Sequence, residues 1–365
     1  MNKIKNILMT AVFVLIIGGF SLFHIILPDG ELSAWERRKL QQMPEISAST
    51  LFDGYFMRNF ENYLTDQFPL RDSLRTLKAR FHFNVLGQKD NNDIVIINGS
   101  ATKLDRKING ASVSHFTEKI TKLYDKYLKG TDCKVYFSLI PDKNTFLTEG
   151  TIYPHFEFDE LYEMTVENLP QELEKIEIKS LLSADMYYTT DSHWRQEMLV
   201  PVADHIRNIL GVASLGTLEK KDAGDFYGVY YGQSALPLSA DKLVYLTNDE
   251  IGGATVTNIE KEGITEVYDL SKLEALDRYD IFLSGAVSVI EITNPKGEAG
   301  KELIIFRDSF TSSLAPLLIP GYSKVTLVDT RYIPTNMVER FVKFVGQDVM
   351  FIYGTAIVNN SSSLR

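Results

Sequence analysis

A single cysteine, Cys133, occurs in the 365 residues of this chain. That excludes an internal disulfide framework and any zinc site built on several cysteines. Histidine is also scarce: there are six, and only His193 has a carboxylate two positions before it. Asp191, His193 and Glu197 have no second histidine nearby, so a metal-dependent hydrolase would lack a complete ligand set. Neither a metal nor a cofactor is expected. Basic charge is in deficit, with 38 Lys and Arg against 48 Asp and Glu and a formal net charge of -10. With no basic stripe and no stacking motif, that balance argues against a nucleic-acid partner. Internal repeats and low-complexity tracts are missing, apart from a short polar tail at Ser361 to Ser363.

Long apolar runs are missing with one exception. "MNKIKNILMTAVFVLIIGGFSLFHIILPDG" is apolar from Ile7 to Leu27, broken only by Thr10, Ser21, His24 and glycines. As a helix this run spans roughly 30 Å, one bilayer core. A cleaved signal peptide is the rival reading, but its apolar region is usually shorter and ends in an A-x-A-like site. Only the weak Leu32-Ser33-Ala34 is present, which favours an uncleaved anchor. Lys3 and Lys5 precede the run, so the positive-inside rule places everything after it outside the cell membrane. The expectation is a single-pass membrane protein with an extracytoplasmic C-terminal domain.

Residues 1–28 therefore read as the anchor and 29–90 as a membrane-proximal helical segment. Within the latter, "LFDGYFMRNFENYLTDQFPLRDSLRTLKARFHFNVLG" has the spacing of two amphipathic helices broken at Phe68-Pro69. Residues 91–365 read as an α/β domain. Apolar strands ("NDIVIING", "CKVYFSLI", "ELIIF", "KVTLVD", "DVMFIYG") alternate with helical patterns ("EMLVPVADHIRNILG", "FTSSLAPLLIP", "NMVERFVKFVG"). That alternation predicts a mostly parallel sheet flanked by helices. From about 211 to 290 the short runs "KLVYL", "GATVTNI" and "YDIFLSG" suggest a β-rich insertion or lid.

The stretch "YYTTDSHWRQE" places Asp191 and His193 on alternate positions. In extended backbone they share a face, and the carboxylate can fix the tautomer of the ring for general-base work. A buried structural histidine is the alternative. The catalytic reading needs a nucleophile, and ligands of parallel sheets gather at strand carboxyl ends. "IIFRDSFTSS" puts Ser309 just past such an end, where helix N–H groups favour a developing oxyanion. Simple helix capping by Asp308 or Ser309 is the alternative there.

The substrate-binding candidates are Trp194, Tyr188, Arg307, Arg331 and Lys143. Trp194 either stacks on a sugar or packs in the core, and Tyr187 and Tyr188 either line the cleft or pack. Arg331 either touches substrate or pairs with Asp329; Lys143 either binds an anionic sugar or is a solvated loop lysine.

These motifs together resemble the DHHW proteins, relatives of the periplasmic alginate O-acetyltransferases within the SGNH-hydrolase-like superfamily. The segments "LSAWERRKLQQMP", "DGYFMRNFENYLTDQFPLRDSL", "LGQKDNNDIVIINGS", "IPDKNTF", "TTDSHWR", "YDIFLSGAVSVIEITNP", "IIFRDSFTSSLAPLL" and "VTLVDTRY" follow in the family's order. Ser192 stands where the family motif has its first histidine, and Arg307-Asp308-Ser309 where SGNH enzymes have Gly-Asp-Ser. The resemblance implies an SGNH-like fold with Ser309 as nucleophile, His193 as proton shuttle and Asp191 as its orienter. It implies an O-acetyltransferase acting on an exopolysaccharide or cell-wall polysaccharide, with a membrane-bound O-acyltransferase as acetyl-donor partner. An acetyl-esterase using the same residues, or a non-catalytic polysaccharide-binding or assembly protein, remains the alternative.

Overall fold

A computed structural model describes residues 2–260 and 263–365; Met1, Lys261 and Glu262 lie outside it. The chain divides into two compact units, residues 1–92 with 231–237, and residues 93–230 with 238–365.

The first unit opens with α1 (Asn2–Ile26), of which Lys3–Ile26 is long and apolar enough to cross a membrane or to act as a signal. Three helices follow: α2 (Ala48–Phe52), α3 (Tyr55–Asp66) and α4 (Arg71–Asn84). A capping box between Ser47 and Thr50 starts α2. The break between α3 and α4 falls at Phe68-Pro69, and Leu70 enters α4 with a left-handed φ of 59°. The connecting segment is held to the helices by charge. Arg38 bonds both oxygens of Asp66 at 2.7 and 2.5 Å, and Arg71 reaches Glu36 at 2.6 Å. Gly232 packs against the Trp35 carbonyl so closely that a Cβ would stand 1.7 Å from its oxygen, which only glycine avoids.

The second unit carries the hairpin β1 (Ile94–Ile97) and β2 (Ser100–Lys103), then α5 (Gly110–Leu123), β3 (Lys134–Ile140) and β4 (Glu174–Lys175). Next come α6 (Val200–Ile209), with Pro201 in its first turn, and the strands β5 (Glu219–Phe226) and β6 (Asp241–Thr247). The last part comprises β7 (Thr255–Asn258), β8 (Ile264–Glu266), β9 (Val289–Thr293), β10 (Glu298–Arg307), α7 (Thr311–Leu318), β11 (Tyr322–Val328) and β12 (Asp348–Gly354). The main sheet runs β8-β7-β9-β11-β10-β12-β3-β4. Neighbours from β11 to β4 are parallel; β7, β8 and β9 form an antiparallel edge.

Alternation along the central strands builds two cores, one on each face. Leu303, Ile305, Leu327 and Ile352 lie on one face with Val202 and Ile206 of α6 and Leu314 and Leu318 of α7. Ile304, Phe306, Val349 and Phe351 lie on the other with Phe116 and Ile120 of α5. Helices on both faces bury the sheet, so its carboxyl edge is where side chains meet solvent.

Three expectations change. "NMVERFVKFVG" forms only a 3-10 turn at Thr335–Arg340; its Val338 and Val342 are buried, but the backbone does not continue as a helix. "YDIFLSG" is not a strand. A 3-10 turn at Arg278–Ile281 leads into left-handed Leu283, Ser284 and Gly285 (φ 59°, 60° and 87°), a conformation no strand accommodates. The 211–290 stretch is divided: β5 and β6 make a separate hairpin, whereas β7, β8 and β9 complete the main sheet.

Candidate active site

The first half of the site is made by the end of β10. Two parallel neighbours, β11 and β12, fix the strand to Arg307, and the chain then turns through Asp308 and Ser309 into α7. Asp308 shapes the turn. Its Oδ1 accepts the N–H of Phe310 at 3.0 Å and its Oδ2 accepts the N–H of Gly354, at the end of β12, at 2.6 Å. Burial pushes the Asp308 carboxyl up, opposed by the charge of Arg331 and by these two N–H groups. Asp308 is thus occupied by the backbone, and Ser309 is the residue that projects.

The second half is a loop rather than a strand. Residues 187–194 form a tight hairpin, with Tyr187 bridged to Trp194 and the N–H of Tyr188 donating to the His193 carbonyl at 3.1 Å. Asp191 and His193 meet because the carboxylate caps the turn: Oδ1 accepts the His193 backbone N–H at 3.0 Å and faces Nδ1 of its ring at 2.6 Å. Nε2 of the same ring lies 2.9 Å from Ser309 Oγ. With Asp191 only 1% exposed in its side chain and His193 15%, the partners assign the proton to Nδ1 and leave Nε2 to accept from the serine hydroxyl. The result is an unbroken Asp–His–Ser hydrogen-bonded chain at the carboxyl edge of the sheet.

Several groups lock this chain in place. The Tyr279 ring stacks on His193 with centroids 4.1 Å apart and planes 15° apart. The Tyr279 hydroxyl donates to Ser313 Oγ at 2.9 Å, so one residue orients both the imidazole and the start of α7. Asp241 holds the hairpin from outside, accepting from the N–H and hydroxyl of both Thr189 and Thr190 at 2.6 to 2.9 Å. Val229 donates its N–H to Asp191 Oδ2 at 2.7 Å. Reading the sequence missed Asp241, Tyr279 and Val229. Each lies dozens of residues from the motif it serves, and no local pattern pairs them with it.

The remaining candidates fall elsewhere. Trp194 and Tyr188 are fully buried and present no face to a sugar, which corrects their assignment as binding residues. Trp194 Nε1 instead donates to the Phe310 carbonyl at 2.9 Å and to Ser313 Oγ at 3.0 Å, stitching the histidine hairpin to α7. Lys143 is fully buried rather than solvated; its Nζ donates to the Tyr188 carbonyl at 2.8 Å, and burial pulls its pKa down to about 8. Arg331 is committed to a two-pronged pair with Asp329 at 2.9 and 2.6 Å. Arg307 is buried beneath α7 and donates to Ser312 Oγ at 2.9 Å. Ser192 is half-buried, and its hydroxyl lies 3.4 Å from Asp191 Oδ1.

A polar cavity of about 240 Å³ lies at the carboxyl ends of β3 and β12, lined by Asp105, Asp142, Asn144, Tyr230, Thr355 and Asn359 among others. Tyr230 and Thr355 directly follow Val229 and Gly354, the residues whose N–H groups hold Asp191 and Asp308. Asp191, His193 and Ser309 themselves do not line it. No group of three or more metal-ligating side chains occurs among the described residues.

Residues 168–328 match the family described as DHHW protein, a span that holds Asp191, His193 and Ser309. The resemblance read from the motifs therefore holds. No curated protein matches the chain in sequence. Among solved structures, a DHHW family protein from Eubacterium siraeum DSM 15702 is similar at a TM-score of 0.61 and 17% identity, over 75% of this chain and 94% of its own. PatB1 of Bacillus cereus, solved with a sulfonyl adduct, gives 0.58 and 17%, over 73% of this chain and 95% of its own. The O-acetyltransferase domain of Pseudomonas putida AlgJ is more distant, at 0.46 and 9% over 73% and 92%, too remote to bear on function. At these identities the first two likenesses establish the mixed α/β fold and no more.

Proposed function

We propose that this chain, which carries the DHHW pattern over residues 168–328, is a membrane-anchored, SGNH-like O-acetyltransferase whose acceptor is a hydroxyl of an extracytoplasmic polysaccharide. One observation carries the reading: Asp191, His193 and Ser309 form a continuous hydrogen-bonded chain, with contacts of 2.6 and 2.9 Å, at the carboxyl edge of a parallel sheet.

In this mechanism Ser309 Oγ attacks the acetyl carbonyl of the donor while His193 Nε2 takes its proton. Asp191 stabilises the imidazolium so formed. The backbone N–H of Ser309 receives the oxyanion, since those of Phe310, Thr311 and Ser312 are given to Asp308 Oδ1, the Asp308 carbonyl and the Ser309 carbonyl. Collapse of the tetrahedral intermediate expels the donor's alcohol, protonated by His193, and leaves acetyl-Ser309. A sugar hydroxyl then gives its proton to His193, attacks the acyl carbonyl, and restores the free serine. The polar cavity at the carboxyl ends of β3 and β12, walled by amide, hydroxyl and carboxylate groups, suits a sugar ring. Acetyl-CoA does not reach this side of a membrane, so the donor is supplied by a membrane-bound O-acyltransferase partner. Water in place of the sugar would make the same acyl-enzyme an esterase.

The test combines labelling and turnover. A sulfonyl fluoride should modify Ser309, and Ser309→Ala should abolish both labelling and acetyl transfer from an activated ester to an oligosaccharide. Losing a residue that at most caps the helix costs only about 1 kcal/mol, so the variant should stay folded. Full transfer by a folded Ser309→Ala protein would mean that another residue is the nucleophile, and a wild-type protein with neither transfer nor hydrolysis would leave a polysaccharide-binding role. Hydrolysis without transfer to any oligosaccharide would establish the esterase.

A further inference from the structure

The helical unit next to α1 wears its apolar residues outward. Along α4 and its C-cap, Leu74, Leu77, Phe81 and Val85 recur at intervals of three and four, one stripe of the helix, and all are exposed, Leu77 at 63% and Val85 at 66%. At the elbow leading into α4, Leu70 is 70% exposed and Phe68 is 40% exposed. Single exposed apolar residues are ordinary on a protein surface, whereas a contiguous patch marks an interaction site.

Contacts with α1 set the depth of that patch. The ring of Phe68 stacks on Phe20 with centroids 5.2 Å apart, and the Gln67 carbonyl lies 3.2 Å from His24 Nδ1. Phe20 precedes the end of α1 at Ile26 by six residues, about 9 Å along a helix axis. A helix that crosses a bilayer core of roughly 30 Å carries Phe20, and Phe68 beside it, below the surface of the apolar layer. An open, mostly apolar hollow of about 1130 Å³ lies between α1 and the α3–α4 helices, lined by Ile16, Ile17, Phe20, Leu64 and Leu74 among others.

Part of the elbow's backbone is satisfied within the chain, as lipid favours. Pro69 has no N–H to satisfy, and Arg71 donates its N–H to the Phe68 carbonyl at 3.1 Å. The Gln67 side chain is saturated, accepting from Gly30 N–H and donating to the Gly30 and Gln41 carbonyls. Further along α4, Lys78 and Arg80 are exposed, and basic side chains beside an inserted apolar stripe favour anionic headgroups.

We infer that the α3–α4 elbow inserts into the outer leaflet as a second, monotopic membrane contact beside α1. It rests on the reading of α1 as a span. Two contacts fix the orientation of the first unit at the membrane surface, where one flexible tether would not.

Full-length protein with Cys133→Ser, carrying a single cysteine at Leu70→Cys, would be labelled with an environment-sensitive fluorophore in phosphatidylcholine–phosphatidylglycerol liposomes. Doxyl-labelled lipid quenches labels in the bilayer, and iodide quenches labels in water. Leu15→Cys reports the span and Lys122→Cys the aqueous α/β domain. The Leu70 label should be quenched several-fold more by doxyl lipid than by iodide, like that at Leu15. Quenching by iodide at Leu70, with lipid quenching kept at Leu15, overturns the elbow while leaving the anchor standing. Shielding of Leu70 from both quenchers means that a protein covers the patch, which also overturns it. Loss of lipid quenching at Leu15 removes the anchor reading and the elbow with it.

Discussion

Gly228 packs directly on Asp191: a Cβ at position 228 would stand 2.2 Å from the Asp191 Cβ and 2.3 Å from the Thr190 carbonyl oxygen. The next residue, Val229, donates its N–H to Asp191 Oδ2 at 2.7 Å. The bend after β5 therefore seats the carboxylate that orients His193, and it does so through backbone alone.

Gly228→Ala should force that bend away from Asp191. Overpacking a close-fitting site typically costs about 1–3 kcal/mol. A displacement of an ångström at a catalytic group can cost on the order of 10²-fold in rate. Urea denaturation and kcat on an activated acetyl ester measure both. Wild-type values for the two would mean that Asp191 is held by the turn of its own hairpin and not by the 228–229 bend.

Asp241 invites a sharper test. One carboxylate collects four hydrogen bonds from Thr189 and Thr190, and Asp241→Ala would strand all four donors. With bonds to charged groups worth about 1.5–3 kcal/mol each and partial compensation by water, a loss of about 3 kcal/mol or more is expected. The conservative Asp241→Asn, which keeps acceptor capacity on one side only, should fall between. Equal stability of all three proteins would show that the clamp contributes nothing.

Much of this architecture was legible in the sequence because it rests on local pattern. The central strands read as strands since they are buried on both faces, and Ser309 was placed by the single fact that it follows such a strand. What was not legible was long-range. Nothing around Asp241 points to a hairpin 50 residues earlier, and nothing in "YDIFLSG" announces that Tyr279 will stack on an imidazole. Apolar runs also misled where burial came without regular backbone, as at Val338 and Val342. A loop lysine such as Lys143 reads as a ligand for an anionic sugar or as a solvated side chain; tertiary packing gives it three oxygen partners inside the protein instead.

That burial gives Lys143 a pH signature. Its pKa is lowered to about 8 from an ordinary 10.5, first by desolvation, with Asp142, Asp191 and Asp241 opposing. Between those values the unfolded chain binds more protons than the folded one, so stability rises with pH across the window. The charge penalty, about 3 kcal/mol at most, is fully present below pH 8 and relieved by pH 10.5. Lys143→Met has no such term. Its stability relative to wild type should therefore worsen between pH 7 and pH 10, measured by paired urea titrations. A difference that does not change with pH would place the lysine pKa near its ordinary value.

The division of labour within the Asp–His–Ser chain yields the most exposed prediction. Asp191 Oδ1 faces two donors of His193, the backbone N–H and ring Nδ1, while Oδ2 faces the Val229 N–H. Asparagine has one oxygen, so Asp191→Asn must turn its NH2 toward one side. If the oxygen stays with Val229, the NH2 donates to Nδ1, the ring proton moves to Nε2, and the nitrogen facing Ser309 can no longer accept. If the oxygen stays with His193, the NH2 opposes the Val229 N–H and the hairpin is strained. Either way kcat should fall by on the order of 10⁴-fold, the scale found when a serine-protease triad aspartate is amidated, with KM for the acceptor little changed. Tyr279, stacked on the ring, should keep the imidazole in place, so sulfonyl labelling of Ser309 should slow in parallel with kcat. A variant retaining kcat within tenfold of wild type would falsify the assignment of Asp191 as orienter. Slow turnover with undiminished labelling would instead move its role from activating Ser309 to a later step, the attack of the acceptor hydroxyl.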